Sequence, residues 1–139
     1  DFSYLYIDQE CSVLDPGLTV FEQTERFNAS HLAEHELKSI LNRCLFPYET
    51  WDKPCFCLSG GEKIRLLFCC LMIGNNAPDV FILDEPTNNL DIQSVEIITA
   101  AIKSYRGTVL LISHDHYFVK EIKINRSIKL FDTGSVIKI

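Results

Sequence analysis

The run VFILDEPTNNLD, from Val80 to Asp91, constrains the fold more than any other stretch of the chain. Val80 to Leu83 is short and continuously apolar, the pattern of a strand buried on both faces, and such strands belong to parallel sheets. The strand ends in two adjacent acids, Asp84 and Glu85, followed by Pro86 and a polar turn. In a parallel sheet the C-terminal ends of the strands open onto the ligand crevice. Asp84 there could hold Mg2+, directly or through water, and Glu85 could polarise an attacking water. An ordinary strand end with solvated acids would carry the same pair, so the acids need company before they mean hydrolysis.

The rest of the chain alternates helices with buried strands. Phe2 to Ile7 reads as a strand, with Gln9 at its end. Asp15-Pro16-Gly17 signals a turn. Thr19 to Phe27 reads as a short helix. From Ser30 onward Leu37, Ile40, Leu41, Cys44 and Leu45 recur at helical spacing until Pro47 stops the run. Trp51 to Pro54 is expected to be a loop. A helix is predicted from Gly60 to Ile73, apolar nearly all round and therefore buried, with Gly74 at its C-terminal cap. Asp91 is placed to cap a helix carrying Ile92, Val95, Ile98 and Ile102 on one side, ending at Gly107. Thr108 to Ile112 reads as another buried strand, Tyr117 to Ile122 as a short helix, and Ser127–Phe131 with Val136–Ile139 as a terminal hairpin around Thr133-Gly134. Such alternation implies an α/β fold with a mostly parallel sheet. The segment between Gln9 and Ser59 holds no convincing strand and reads as a helical insert.

A chain of 139 residues is enough for one core. Its net charge of −6 argues against broad phosphate-backbone binding, and no run of Lys and Arg gives a direct nucleic-acid signal. The longest apolar run, Leu66 to Ile73, falls well short of the roughly 20 residues that span a bilayer. Six cysteines are present, but Cys55-Phe56-Cys57 and Cys69-Cys70 do not form two C-x2-C zinc pairs, and Cys69 and Cys70 sit in an apolar helical run. They are expected to be reduced core residues.

Two further stretches could carry chemistry. In LSGGEK, Leu58 to Lys63, Ser59 and Glu62 have the S-x-x-E form of a capping box, and Gly60 and Gly61 permit close backbone approach to an anion at a helix N-terminus. A well-capped helix with no ligand would read the same way. In LLISHDH, His114 follows a buried strand and could donate to a terminal phosphate. A surface histidine is the plainer reading, and Gln9 alone is weaker still.

Taken together, LSGGEKIRL, FILDEPTNNLD and LLISHD resemble the ATP-binding cassette (ABC) ATPases in order and separation, over essentially the whole chain. Leu58 to Arg65 looks like the signature motif, Phe81 to Glu85 like the Walker B strand with its catalytic acid, and Asn88 to Asp91 like the D-loop. His114 looks like the switch histidine and Gln9 like the Q-loop glutamine. The resemblance implies an α/β, partial ABC-type ATPase domain: core strand and Q-loop over 1–10, helical subdomain with the signature helix over 11–74, and core with Walker B, D-loop and switch histidine over 75–139. It implies ATP and Mg2+ as cofactors. Glu85 and His114 would be catalytic, and Asp84 and Gln9 would hold Mg2+, largely through water. Ser59, Gly60, Gly61, Glu62, Gln9 and Asp91 would bind nucleotide.

A phosphate loop would read G-x-x-x-x-G-K-[ST]. None of the six glycines is followed by Lys. In this family the loop lies upstream of the Q-loop, and the chain opens directly on the strand FSYLYI, so it is expected to be an excerpt lacking the phosphate-loop lobe. The family pairs two cassettes head to tail, each ATP lying between the phosphate loop of one and the signature of the other. The expected partners are therefore the upstream phosphate-loop lobe of the same cassette and a second cassette.

EPTNNLD and ISHDHYFV look most like the ABC-F branch, soluble and cytoplasmic tandem-cassette ATPases that act on ribosomes as translation or antibiotic-resistance factors. That branch usually has His where Asn89 stands and Arg where His116 stands. Three alternatives stay open: the nucleotide-binding subunit of an ABC transporter, the head of a coiled-coil DNA-repair ATPase, and a non-catalytic chain lending its signature motif to a partner. Loss of the early strands should leave a sheet edge exposed, inviting self-association.

Overall fold

A computed structural model describes residues 2–8, 10–74, 77–130 and 136–138. Three strands, β1 (Tyr4–Ile7), β2 (Val80–Asp84) and β3 (Thr108–Ile112), form a parallel sheet in the order β1-β2-β3. Between β1 and β2 lies the helical insert: α1 (Val20–Phe27), α2 (Glu34–Arg43), two 3-10 turns at Tyr48–Thr50 and Cys55–Cys57, and α3 (Gly60–Ile73). The chain then forms α4 (Ile92–Ser104) between β2 and β3, α5 (His116–Glu121), and an antiparallel pair, β4 (Ile128–Leu130) with β5 (Val136–Lys138). The turn expected around Thr133-Gly134 lies outside the described residues.

The core forms around α3. Its residues Ile64, Leu66, Leu67, Phe68, Cys69, Cys70 and Ile73 are all buried. Phe68 meets Phe81 of β2 at 6.5 Å between ring centroids, and Phe81 meets Tyr105 at 4.3 Å. On the insert side the Cys70 thiol reaches the carbonyl of Gln23 in α1. Alternation along the strands turns Leu5, Ile7, Phe81, Leu83, Val109 and Leu111 into this core. All six cysteines are free thiols, and five of them are buried. Burial raises the Cys55 pKa to about 11 and that of Cys11 to about 12, so both stay protonated at neutral pH.

Several details differ from the sequence expectation, each for a local reason. β1 starts at Tyr4, and Phe2 lies before it, largely exposed. α2 starts at Glu34 instead of Ser30, because the Asn28 side chain brackets Leu32, accepting from its N–H and donating to its carbonyl, both at 2.9 Å. His31 sits in the left-handed region with φ 53°. Gly74 does cap α3, but with φ −73°, so it needs no left-handed freedom. Its lack of a side chain serves packing, since a Cβ there would lie 3.3 Å from the Phe27 carbonyl oxygen. On α4 the buried stripe is Ser94, Ile98 and Ile102, while Ile92 is 78% exposed. Ile92 is the first residue of the helix, half a turn from that stripe.

Among the described residues nothing covers the second face of the sheet. Tyr4, Tyr6, Leu110 and Ile112 stand on it with exposures of 65, 46, 50 and 51%. Parallel sheets are normally covered on both faces. The isolated chain is therefore expected to self-associate, and light scattering should show species larger than the monomer at high concentration. The Leu110→Lys/Ile112→Lys double variant should shift the population toward monomer with little change in melting temperature, because neither side chain contributes a buried contact. A wild-type chain that stays monomeric would contradict this.

Candidate active site at the sheet edge

Asp84 is the last residue of β2, and Glu85 follows it at the C-terminal edge of the sheet. The Glu85 N–H donates to the carbonyl of Ile112, the last residue of β3, at 2.8 Å, which extends the ladder one step. Glu85 then turns with φ 47°, a left-handed conformation that costs a non-glycine residue about 1–2 kcal/mol. The turn swings its carboxylate toward β3, where Glu85 Oε1 lies 2.5 Å from His114 Nδ1. Glu85 is 19% exposed and His114 84% exposed at the side chain, so the pair joins a mostly shielded acid to an open imidazole. On the other side, the Tyr6 hydroxyl donates to Asp84 Oδ2 at 3.1 Å. That hydrogen bond raises the tyrosine pKa and keeps its proton in place.

Hydrogen bonds tie down the turn after Glu85. Asn88 N–H donates to the Glu85 carbonyl and Leu90 N–H to that of Thr87. The Thr87 hydroxyl donates to Asp115 Oδ2 at 3.2 Å, and Asp115 Oδ1 caps α5 through Phe118 N–H. Asp91 caps α4, accepting from the N–H and the hydroxyl of Ser94 at 2.8 Å each.

The N-terminus of α3 is the second cluster. Ser59 Oγ accepts from Glu62 N–H at 3.2 Å, and Glu62 Oε2 accepts from Ser59 N–H at 2.8 Å. Lys53 Nζ lies 3.4 Å from both Glu62 oxygens. Burial pushes the Glu62 pKa up, but the Ser59 hydrogen bonds and Lys53 outweigh it and hold the group below its ordinary value. A Cβ on Gly60 would meet nothing within 4 Å, so this helix end is open to approach from outside. A Cβ on Gly61 would lie 3.0 Å from Leu90 Cδ2. Gly61 thus lets the turn after β2 press against the start of α3.

The structure therefore brings Glu85 to His114 and seats Leu90 of the expected D-loop on Gly61. The side chains of Glu62 and Asp91 are turned into the caps of their own helices. Gln9 lies outside the described residues. Tyr6, Thr87 and Asp115 join the site without having been singled out in the sequence. For Tyr6 the available signal was the alternation in YLYI, which puts it on the face that Asp84 shares. Among the described residues no group of three or more His, Cys, Asp or Glu could cage a metal. Mg2+ fits such a site nonetheless, because it is bound by one or two carboxylates together with substrate phosphates and water.

Comparison with known proteins identifies the family. The family model described as "ABC transporter" matches residues 3–88. The chain belongs to the ABC transporter family. It is 43% identical over 128 residues to ABC transporter F family member 5 of Arabidopsis thaliana, an alignment that takes in 91% of this chain and 18% of that protein. The chain thus spans about a fifth of that relative, whose F-family name agrees with the branch expected from EPTNNLD and ISHDHYFV. Among solved structures it is similar to the RNase-L inhibitor, with a TM-score of 0.68 and 23% identity over 92% of this chain and 25% of that one. The ATP-binding cassette MJ0796, in a dimeric post-hydrolysis state bound to ADP and Pi, gives a TM-score of 0.63 with 21% identity over 86% of this chain and 56% of that one. These two likenesses establish the cassette fold. No helix among the described residues is long and apolar enough to cross a membrane.

The depressed Glu62 pKa fixes the sign of one pH effect. An unfolded glutamate titrates near 4.3, so the stability Glu62 contributes is fully present above about that pH and is lost as pH falls through its lower folded value. Glu62→Gln can keep the reciprocal cap without titrating. Its melting temperature is expected to fall less than that of the wild type between about pH 5 and pH 3, measured by circular dichroism. Parallel acid profiles for the two proteins would contradict this.

Proposed function

We propose that this chain is the C-terminal part of one cassette in an ABC-F-type ATPase that couples ATP binding and hydrolysis to action on the ribosome. The observation that carries the hydrolytic part of this reading is the Glu85–His114 contact at the C-terminal edge of a parallel sheet, beside Asp84, and similarity to an F-family member supports the branch. Glu85 is the general base that orients and polarises the attacking water. His114 steadies that carboxylate and donates toward the terminal phosphate. Asp84 would hold Mg2+, largely through water, and by resemblance Gln9 would complete that set. When bound, Mg2+ neutralises charge on the transferred phosphoryl group, in chemistry that is mostly positioning and electrostatic stabilisation.

Ser59, Gly60 and Gly61 serve a different nucleotide, one held mainly by a second cassette packed head to tail. The free N–H groups and dipole of the α3 N-terminus suit an anion there, and Gly60 leaves the approach open. Glu62 holds the cap that presents Ser59, and Asp91 anchors the D-loop that rests on Gly61. In its own cassette the chain is completed by an upstream phosphate-loop lobe, which supplies the backbone cradle and the lysine and covers the open sheet face. The whole protein works in the cytoplasm.

Two measurements test this. In the full-length protein Glu85→Gln should bind ATP as the wild type does while steady-state hydrolysis falls at least about a hundredfold, the loss expected of a general base; unchanged turnover would remove Glu85 from its role. The isolated 139-residue chain should hydrolyse no ATP and give no micromolar Mg-ATP affinity by calorimetry. Micromolar binding would show that the phosphate-loop lobe is not needed.

A further inference from the structure

Tyr6 is the third residue of β1, and its register partner on β2 is Ile82. Side chains two apart on a strand share a face, so Tyr6, Ile82 and Asp84 all stand on the open side of the sheet. Diagonal neighbours across adjacent strands are within reach of an aromatic side chain. Tyr6 uses that reach, and its hydroxyl donates to Asp84 Oδ2 at 3.1 Å. Burial does not force this contact, since Tyr6 is 46% exposed and water could satisfy its hydroxyl. Among the described residues the Tyr6 hydroxyl is the one side-chain donor to Asp84.

We infer that Tyr6 is a positioning residue for Asp84, its phenol holding Oδ2 toward β1 so that Oδ1 is left for a divalent cation or a water bound to one. This rests on the reading of Asp84 as the metal-holding carboxylate. Hydrogen-bond partners of ligating carboxylates fix ligand orientation, and their loss typically weakens metal binding ten- to a hundredfold. A single neutral phenol belongs at the low end of that range. The strand that leads into the Q-loop would thus act on the metal through its own side chain as well as through the glutamine at its end.

The test uses the complete protein that carries this chain, loaded with a non-hydrolysable ATP analogue and titrated with Mn2+ by electron paramagnetic resonance. Tyr6→Phe keeps the ring and removes only the hydroxyl. It should weaken Mn2+ binding about tenfold, with a metal-free melting temperature within about 2 °C of wild type. Asp84→Asn should weaken Mn2+ binding at least as much, and the Tyr6→Phe/Asp84→Asn double variant should be no weaker than Asp84→Asn alone. Wild-type Mn2+ affinity in Tyr6→Phe, beside a weakened Asp84→Asn, would overturn the role of Tyr6 and leave that of Asp84 standing. A further loss in the double variant would mean that Tyr6 acts elsewhere, which also overturns it. An Asp84→Asn variant that binds Mn2+ normally would remove the metal reading of Asp84 and this inference with it.

Discussion

The absence of any polar side on the middle of α3 is the constraint on which the rest depends. Leu66, Leu67, Phe68, Cys69 and Cys70 are consecutive, and none is more than 2% exposed. At 3.6 residues per turn, five consecutive positions go completely round the helix. A helix like this must be enclosed. Here α1 and α2 enclose it on one side, and α4 with Phe81 of the sheet on the other. The insert and the sheet consequently share one core. The first turn of α3, where Ser59 and Gly60 stand, is held in fixed relation to the end of β2. Gly61 makes the contact close, because any side chain there would press on Leu90.

β2 does the corresponding work for the acids. As the middle strand, it is hydrogen-bonded on both sides, and its last residues are held by their neighbours. The ladder continues to Glu85 N–H, which bonds Ile112, and only then does the chain break into the left-handed turn. Strict alternation would place Glu85 opposite Asp84 across the sheet. The positive φ turns it toward the end of β3, where His114 meets it. Backbone strain of this kind persists only where surrounding contacts over-determine it. The Thr87–Asp115 and Asp91–Ser94 hydrogen bonds do so, by tying the turn to the starts of α5 and α4.

Much of this was legible in the sequence because the residues concerned act locally. Ser59-x-x-Glu62 and Asp91 form the caps that their spacing implies, and the apolar run in α3 is buried as its composition requires. The parallel sheet followed from the continuous apolar strands. Less legible was whatever depends on contacts between distant segments. The delayed start of α2 comes from Asn28 bracketing Leu32, a side-chain preference that apolar periodicity does not register. The stripe on α4 includes a serine, buried because Asp91 takes up its hydroxyl, and periodicity reading favours Ile92 instead. Tyr6 escaped notice because its partner is 78 residues away. At the candidate site the motifs could be read from the chain, while the hydrogen-bond partners of their residues could not.

Charge is consistent with the proposal that such a site is shared between chain segments. The C-terminal edge of the sheet carries Asp8, Asp84 and Glu85, with Asp115 beside His114, in a chain of net charge −6. Of the lysines near α3, Lys53 is committed to Glu62. An edge of this kind favours a cation and repels a polyphosphate. Under the proposed function the acids and the nucleotide are reconciled only when positive charge comes from elsewhere, from Mg2+ and from the phosphate-loop lysine. The α3 N-terminus meets the same requirement differently, with backbone N–H groups and a helix dipole in place of a formal charge. Under that proposal neither half is a nucleotide site alone, and each would become one when a surface of opposite character is brought against it, so hydrolysis would report that the parts have come together.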